Sequence, residues 1–149
     1  MRLSMIAPSL ALALLSTLGA CATSRDAPGP AVGPTLACAA PMSPHTQVDL
    51  YFGRGLKAGG EVDDASWRRF LDEAVTPRFP DGLSVMEVAG QWRRRQDGAI
   101  VRERGKRLTI IVPDAAKAAP ALAAIKVDYI GRFQQESVLQ VERPVCAAF

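Results

Sequence analysis

Histidine is nearly absent from this chain, with His45 the one example in 149 residues. A lone histidine cannot build a metal site without partners, and this one reads as solvated. It also leaves no Ser-His-Asp or Cys-His arrangement, which removes histidine-activated nucleophiles. The sequence holds no G-x-x-x-x-G-K-[ST] run, and no G-x-G-x-x-G follows the first predicted strand. Phosphate-cradling and dinucleotide fingerprints are therefore missing, and neither a metal nor an organic cofactor is expected. Charge of one dominant sign is missing too: Lys plus Arg number 18 against 15 Asp plus Glu, which argues against a nucleic-acid partner. No apolar run is long enough to span a membrane; residues 3–18 are short of that and interrupted by Ser4, Ser9, Ser16 and Thr17.

What residues 3–18 do provide is an export leader. Met1-Arg2 supplies a basic start, and Leu18-Gly19-Ala20-Cys21 closes the run as a lipobox does, with small residues for the peptidase cleft and a thiol for diacylglycerol. The plainer alternative is an ordinary signal peptide cut at a nearby A-x-A-like pattern. Acylation of Cys21 would add about 0.8 kcal/mol per buried CH₂, making the membrane itself the first expected partner. Ala22 stands where inner-membrane lipoproteins tend to carry aspartate, so the expected location is the outer membrane, facing the periplasm. The chain then divides into a signal peptide (1–20), an acylated cysteine and flexible tether rich in Ala, Pro, Gly and Ser (21–44), and one globular domain (45–149). Cysteine, with three examples, is scarce. Cys38 and Cys146 remain after acylation, and an even pair in an oxidising compartment predicts a disulfide; pairing between molecules is the alternative.

Within the domain, Gln47 to Gly53 alternates as a half-buried strand. After a glycine-rich loop, Asp63 or Asp64 caps a helix whose stripe is Trp67, Phe70, Leu71, Ala74 and Val75, ended by Thr76-Pro77. Leu83 to Trp92 and Ala99 to Val112 form a hairpin around Asp97-Gly98, with Gly105 predicted as a bulge. A second helix follows Pro113-Asp114 with Leu122, Ile125, Tyr129 and Phe133 buried; Pro120 is expected to split off its first turn. Ser137 to Glu142 is the last strand, with Leu139 and Val141 inward. The order β-α-β-β-α-β with right-handed crossovers predicts an α+β, ferredoxin-like βαββαβ sandwich: a four-stranded antiparallel sheet, order 4-1-3-2, with two helices on one face. That order brings Cys146 towards Cys38, as the disulfide needs.

Two constellations could carry chemistry. Arg54 and Lys57 in the glycine loop lead into a helix N-terminus, where an anion is favoured, although a plain surface loop explains them as well. The second is the sheet face turned away from the helices. Parity puts Asp49, Tyr51, Glu87, Gln91, Gln140 and Glu142 there, joined by Glu103, Arg107 and Thr109 if a bulge at Gly105 does not flip the register. Tyr51 and Glu103 are the candidate proton-transfer groups, and Arg54, Lys57 and Arg107 the candidate anion ligands. Polar-out alternation is also what any one-sided sheet displays. Trp92 reads as a lid or an arginine-stacked plug. The arginines from Arg93 to Arg107 read as a solvated hairpin or as a contact for an anionic surface.

Leu50-Tyr51-Phe52-Gly53, Trp67, Arg78-Phe79-Pro80-Asp81-Gly82, Gly90-Gln91-Trp92-Arg93 and Arg102-Glu103, in that order, resemble the bacterial family called domain of unknown function 3574. The resemblance covers nearly the whole globular part and implies a short, secreted, often lipoprotein-like protein. It brings no activity, cofactor or catalytic residue with it. Three functions stay open: a non-enzymatic binding or accessory role in the envelope, with an envelope protein or an anionic surface as partner; an enzyme acting on a small acidic metabolite through the Tyr/Glu/Arg set; and a structural subunit dimerising through its open sheet. The oligomeric state is left open.

Overall fold

Alternating residues on the central strands place a continuous apolar row under two helices. In the computed structural model, which describes residues 36–149, β1 (Ser43–Gly53) and β3 (Ile100–Val112) lie at the centre of one antiparallel sheet, flanked by β2 (Ser84–Arg93) and β4 (Leu139–Ala147) in the order β2-β3-β1-β4. This is the expected α+β arrangement. Helices α1 (Asp64–Phe70, continued as a π-helical turn over Leu71–Val75) and α2 (Ala115–Phe133) pack on one face. Asp63 caps α1 by accepting from the Ser66 amide, and Asp114 caps α2 from the Ala116 and Lys117 amides. The core joins Val48, Leu50 and Phe52 of β1 and Leu108, Ile110 and Val112 of β3 to Trp67, Phe70, Leu122, Ile125 and Tyr129. The rings of Phe52, Trp67, Phe70 and Tyr129 meet mostly edge to face, with centroids 4.7 to 6.0 Å apart, each pair adding about 0.5–1.5 kcal/mol beyond burial.

Cys38 and Cys146 form a disulfide that staples the segment before β1 to the end of β4. Strand β1 begins at Ser43, inside the stretch the sequence assigns to the tether, because Ser43 and Pro44 already pair with Ala147 and Cys146. Cys21 and the leader lie outside the described residues.

Four local expectations are corrected. Gly105 is no bulge: it pairs in unbroken register with Gly53 on one side and Val88 on the other. Pro120 sits inside a continuous α2 and does not split it. In β2, Glu87 pairs with Lys106, which pairs with the core residue Phe52, so Glu87 and Gln91 lie on the helix side while Met86, Val88, Gly90 and Trp92 occupy the open face. In β4, Gln140 and Glu142 pair with Leu50 and Val48, so they too lie on the helix side; Leu139 and Val141, expected inward, stand on the open face, 60% and 40% exposed. The helices cover β1 and β3 but not the outer strands, so apolar alternation there does not mark a core face.

Candidate functional site

The centre of the open face contains a floor made by absence of side chains. Gly53 of β1 lies directly opposite Gly105 of β3, and Gly90 of β2 lies opposite Glu103. A Cβ on Gly105 would stand 2.7 Å from the Phe52 carbonyl oxygen, and one on Gly53 would stand 2.6 Å from Glu103 Oε1. Only glycine permits this approach. The Glu103 side chain lies across Gly53 and is held at both oxygens: Trp92 Nε1 donates to Oε1 at 2.7 Å and the Gly55 amide donates to Oε2 at 2.9 Å. The result is a trough of about 280 Å³ with Tyr51 and Leu139 along one side, Val88 and Trp92 along the other, and the segment Gln135–Ser137 at the end. That size suits a small ligand.

The trough floor is braced from the core. Tyr129 donates its hydroxyl to the Gly53 carbonyl at 2.8 Å, and burial pushes the phenol pKa well above its ordinary value, so the donor keeps its proton. Gln135 Nε2 donates to the Gly55 carbonyl at 2.8 Å. The Gly53–Gly55 segment is therefore fixed by α2, by the segment after it and by Glu103 at once.

Tyr51 and Glu103 line the same trough. With no bulge at Gly105, Glu103, Arg107 and Thr109 share the open face with Asp49 and Tyr51. Arg107 stands directly opposite Tyr51 but outside the trough, its guanidinium against Met86 Sδ at 2.8 Å. Arg54 is on the other side of the sheet, because alternation turns the residue after Gly53 towards α1. It is 5% exposed, donates from Nε to the Val62 carbonyl at 2.6 Å and lies 3.4 Å from Asp64 and 3.8 Å from Glu87. Lys106, also buried, shares both of those carboxylates. Arg54 is thus a structural cation and cannot hold an anion beside Glu103. Lys57 is exposed at the loop tip, away from both. Among the described residues no cluster of three or more His, Cys, Asp or Glu is disposed to hold a metal.

Below the trough on the same face, Asp49 is buried between Thr109, Gln47 and Arg143, from which it accepts hydrogen bonds at 2.6, 3.1 and 3.3 Å. Burial works to raise its pKa, but the bonds from Thr109 and Gln47 and the charges of Arg107 and Arg143 outweigh it, and the net direction is down. Sequence reasoning missed Gly90, Trp92, Leu139 and Gln135 as site residues. The signal that could have found the floor is the spacing of Gly53, Gly90 and Gly105, one on each of three successive strands.

Fold and trough together define a small antiparallel α+β domain with a cavity on its uncovered sheet face. The chain belongs to the family described as protein of unknown function (DUF3574), which matches residues 47–149. No curated protein matches the chain. Solved structures that resemble the fold include two of a phage SAM lyase. A phage SAM lyase in complex with S-methyl-5'-thioadenosine is 14% identical with TM-score 0.55, over 70% of this chain and 90% of that one. A phage SAM lyase in the apo state is 14% identical with TM-score 0.51, over 70% and 86%.

Proposed function

We propose that this is an envelope lipoprotein whose domain binds a small molecule in the glycine-floored trough. The observation that carries the reading is Glu103: a carboxylate held at both oxygens in a cavity walled by Tyr51, Val88, Trp92 and Leu139, with a second carboxylate, Glu136, at its end and no cationic side chain in its lining. Its two oxygens already accept from Trp92 and Gly55, so a ligand meets its charge more than its spare lone pairs. The complement is a compact cation on an apolar or aromatic body. This replaces the acidic metabolite that Arg54 would have favoured. The likeness to a lyase bound to S-methyl-5'-thioadenosine makes a thioether nucleoside and its sulfonium relatives the first compounds to test. Anchoring through Cys21 is supported by Leu18-Gly19-Ala20-Cys21, the outer membrane by Ala22 in place of aspartate, and export by the Cys38–Cys146 disulfide.

A second reading is favoured by Tyr51 and Glu103 lining one cavity: an enzyme in which Glu103 takes a proton from the carbon β to the sulfonium while the neighbouring C–S bond breaks. The C–H pair forms a C=C bond and sulfur leaves with its electron pair as the neutral thioether, with Tyr51 orienting the substrate. Calorimetry with S-methyl-5'-thioadenosine and with SAM tests both. Saturable binding that Glu103→Gln weakens at least tenfold supports the site, and release of S-methyl-5'-thioadenosine from SAM selects the enzyme. A folded protein that binds neither compound overturns the ligand class, and binding indifferent to Glu103→Gln overturns the trough.

A further inference from the structure

The hairpin that carries Trp92 and Glu103 has a second face. Strand β1 ends at Gly53 opposite Gly105, so Ile100 to Glu103 pair with β2 alone, while the Arg104 carbonyl still accepts from the Arg54 amide. Alternation then divides the ribbon. Trp92 and Glu103 point into the trough, whereas Ile100, Arg102 and Arg104 of β3, with Arg93 paired to Ile100, form one row on the reverse side. Successive members along β3 are roughly 6.7 Å apart. All four are exposed, Ile100 at 47%. Carboxylates stand near this row, but none comes within 4.0 Å of Arg93 or Arg102 among the described residues. Asp97 is taken by Arg94, Glu103 is on the other face, Glu61 lines the same shallow depression as Arg102 and Arg104, and Glu87 reaches Arg104 only at 4.0 Å.

We infer that this row is a docking surface for an anionic phospholipid membrane. Charge complementarity selects an anionic partner. Ile100, an exposed apolar side chain set beside Arg93 and Arg102, selects a bilayer over a hydrophilic polyanion, because it can enter the headgroup boundary while the guanidiniums stay with the phosphates. Near an anionic surface each arginine contributes about a fivefold gain in binding. Three arginines and one isoleucine give weak, reversible contact, enough to orient a domain and too little to hold it alone. With the reverse side against the lipid, the trough opens towards water, which suits a soluble ligand.

The test is sedimentation of residues 22–149, which retain the whole core and both half-cystines, with vesicles of phosphatidylcholine alone or mixed with phosphatidylglycerol. Binding is expected only to the mixed vesicles and should weaken as salt is added. Arg93→Gln with Arg102→Gln should lower it roughly 25-fold, and Ile100→Ser should lower it further at unchanged charge. Arg68→Gln with Arg69→Gln, an equal charge change on exposed α1 positions, should leave most of it. Equal loss in that control would mean net charge and not the ribbon, and would overturn the assignment. So would absence of binding to the mixed vesicles at low salt. Capture on a sulfated polysaccharide that is as tight as on vesicles and indifferent to Ile100→Ser would identify a polyanion partner and overturn the membrane.

Discussion

Three glycines on the open face do three different jobs, and a methyl group separates them. On Gly105 the added carbon meets the backbone oxygen of Phe52 at 2.7 Å, and neither central strand can yield without moving the core behind it. Gly105→Ala should therefore cost about 1–3 kcal/mol in urea unfolding. On Gly53 the carbon meets the Glu103 carboxylate, the far end of a side chain, so Gly53→Ala displaces Glu103 and releases Trp92 Nε1. On Gly90 nothing lies within 4 Å. Gly90→Ala should leave stability within about 0.5 kcal/mol while narrowing a trough this residue lines. Ligand affinity falling in Gly90→Ala with the unfolding midpoint unchanged would locate the ligand; unchanged affinity would move it elsewhere.

At the scale of the strand, the central pair was legible and the outer pair was not. Val48, Leu50 and Phe52, and Leu108, Ile110 and Val112, alternate against helices that cover them, so the period-two pattern reports a core. Met86, Val88 and Trp92, and Leu139 and Val141, alternate just as clearly, yet their apolar side faces the trough and the open sheet. Periodicity shows which residues share a face but not what covers it, and here the second apolar face lines an open trough. Tyr51 was placed on the open face by the alternation of β1 alone, whereas Glu103 joined it only on the condition that Gly105 did not flip the register, a condition the unbroken pairing of Gly105 with Gly53 meets. Arg54 was misplaced because one residue past the glycine reverses the side.

Asp49 ties three of these strands, with Thr109 on β3 and Arg143 on β4. Its folded pKa is depressed, so its contribution to stability is fully present above the ordinary value of 3.8 and is lost as pH falls through the lower folded-state value. Asp49→Asn should cost about 1–3 kcal/mol at neutral pH and should flatten the fall in stability below pH 3.8. Parallel acid limbs in the two proteins would show that other carboxylates dominate.

For the whole molecule, the disulfide closes a segment with a sequence separation of 108, nearly all of the described chain. Cys38 and Cys146 sit outside the ring of Phe52, Trp67, Phe70 and Tyr129, so the core does not need the bond to pack. Its effect belongs to the unfolded state: a loop of this size gives up to about 4.7 kcal/mol in the chain-entropy treatment. Reduction, or Cys38→Ser with Cys146→Ser, should leave a folded domain whose urea midpoint is sharply lower. The dependence of its unfolding free energy on urea should be steeper, because the freed unfolded chain exposes more surface. A lower midpoint at unchanged slope would place the stabilisation in the native pairing of β1 with β4 instead. An unchanged midpoint would mean that loop closure contributes nothing and that the staple serves only to fix where the N-terminal segment leaves the sheet.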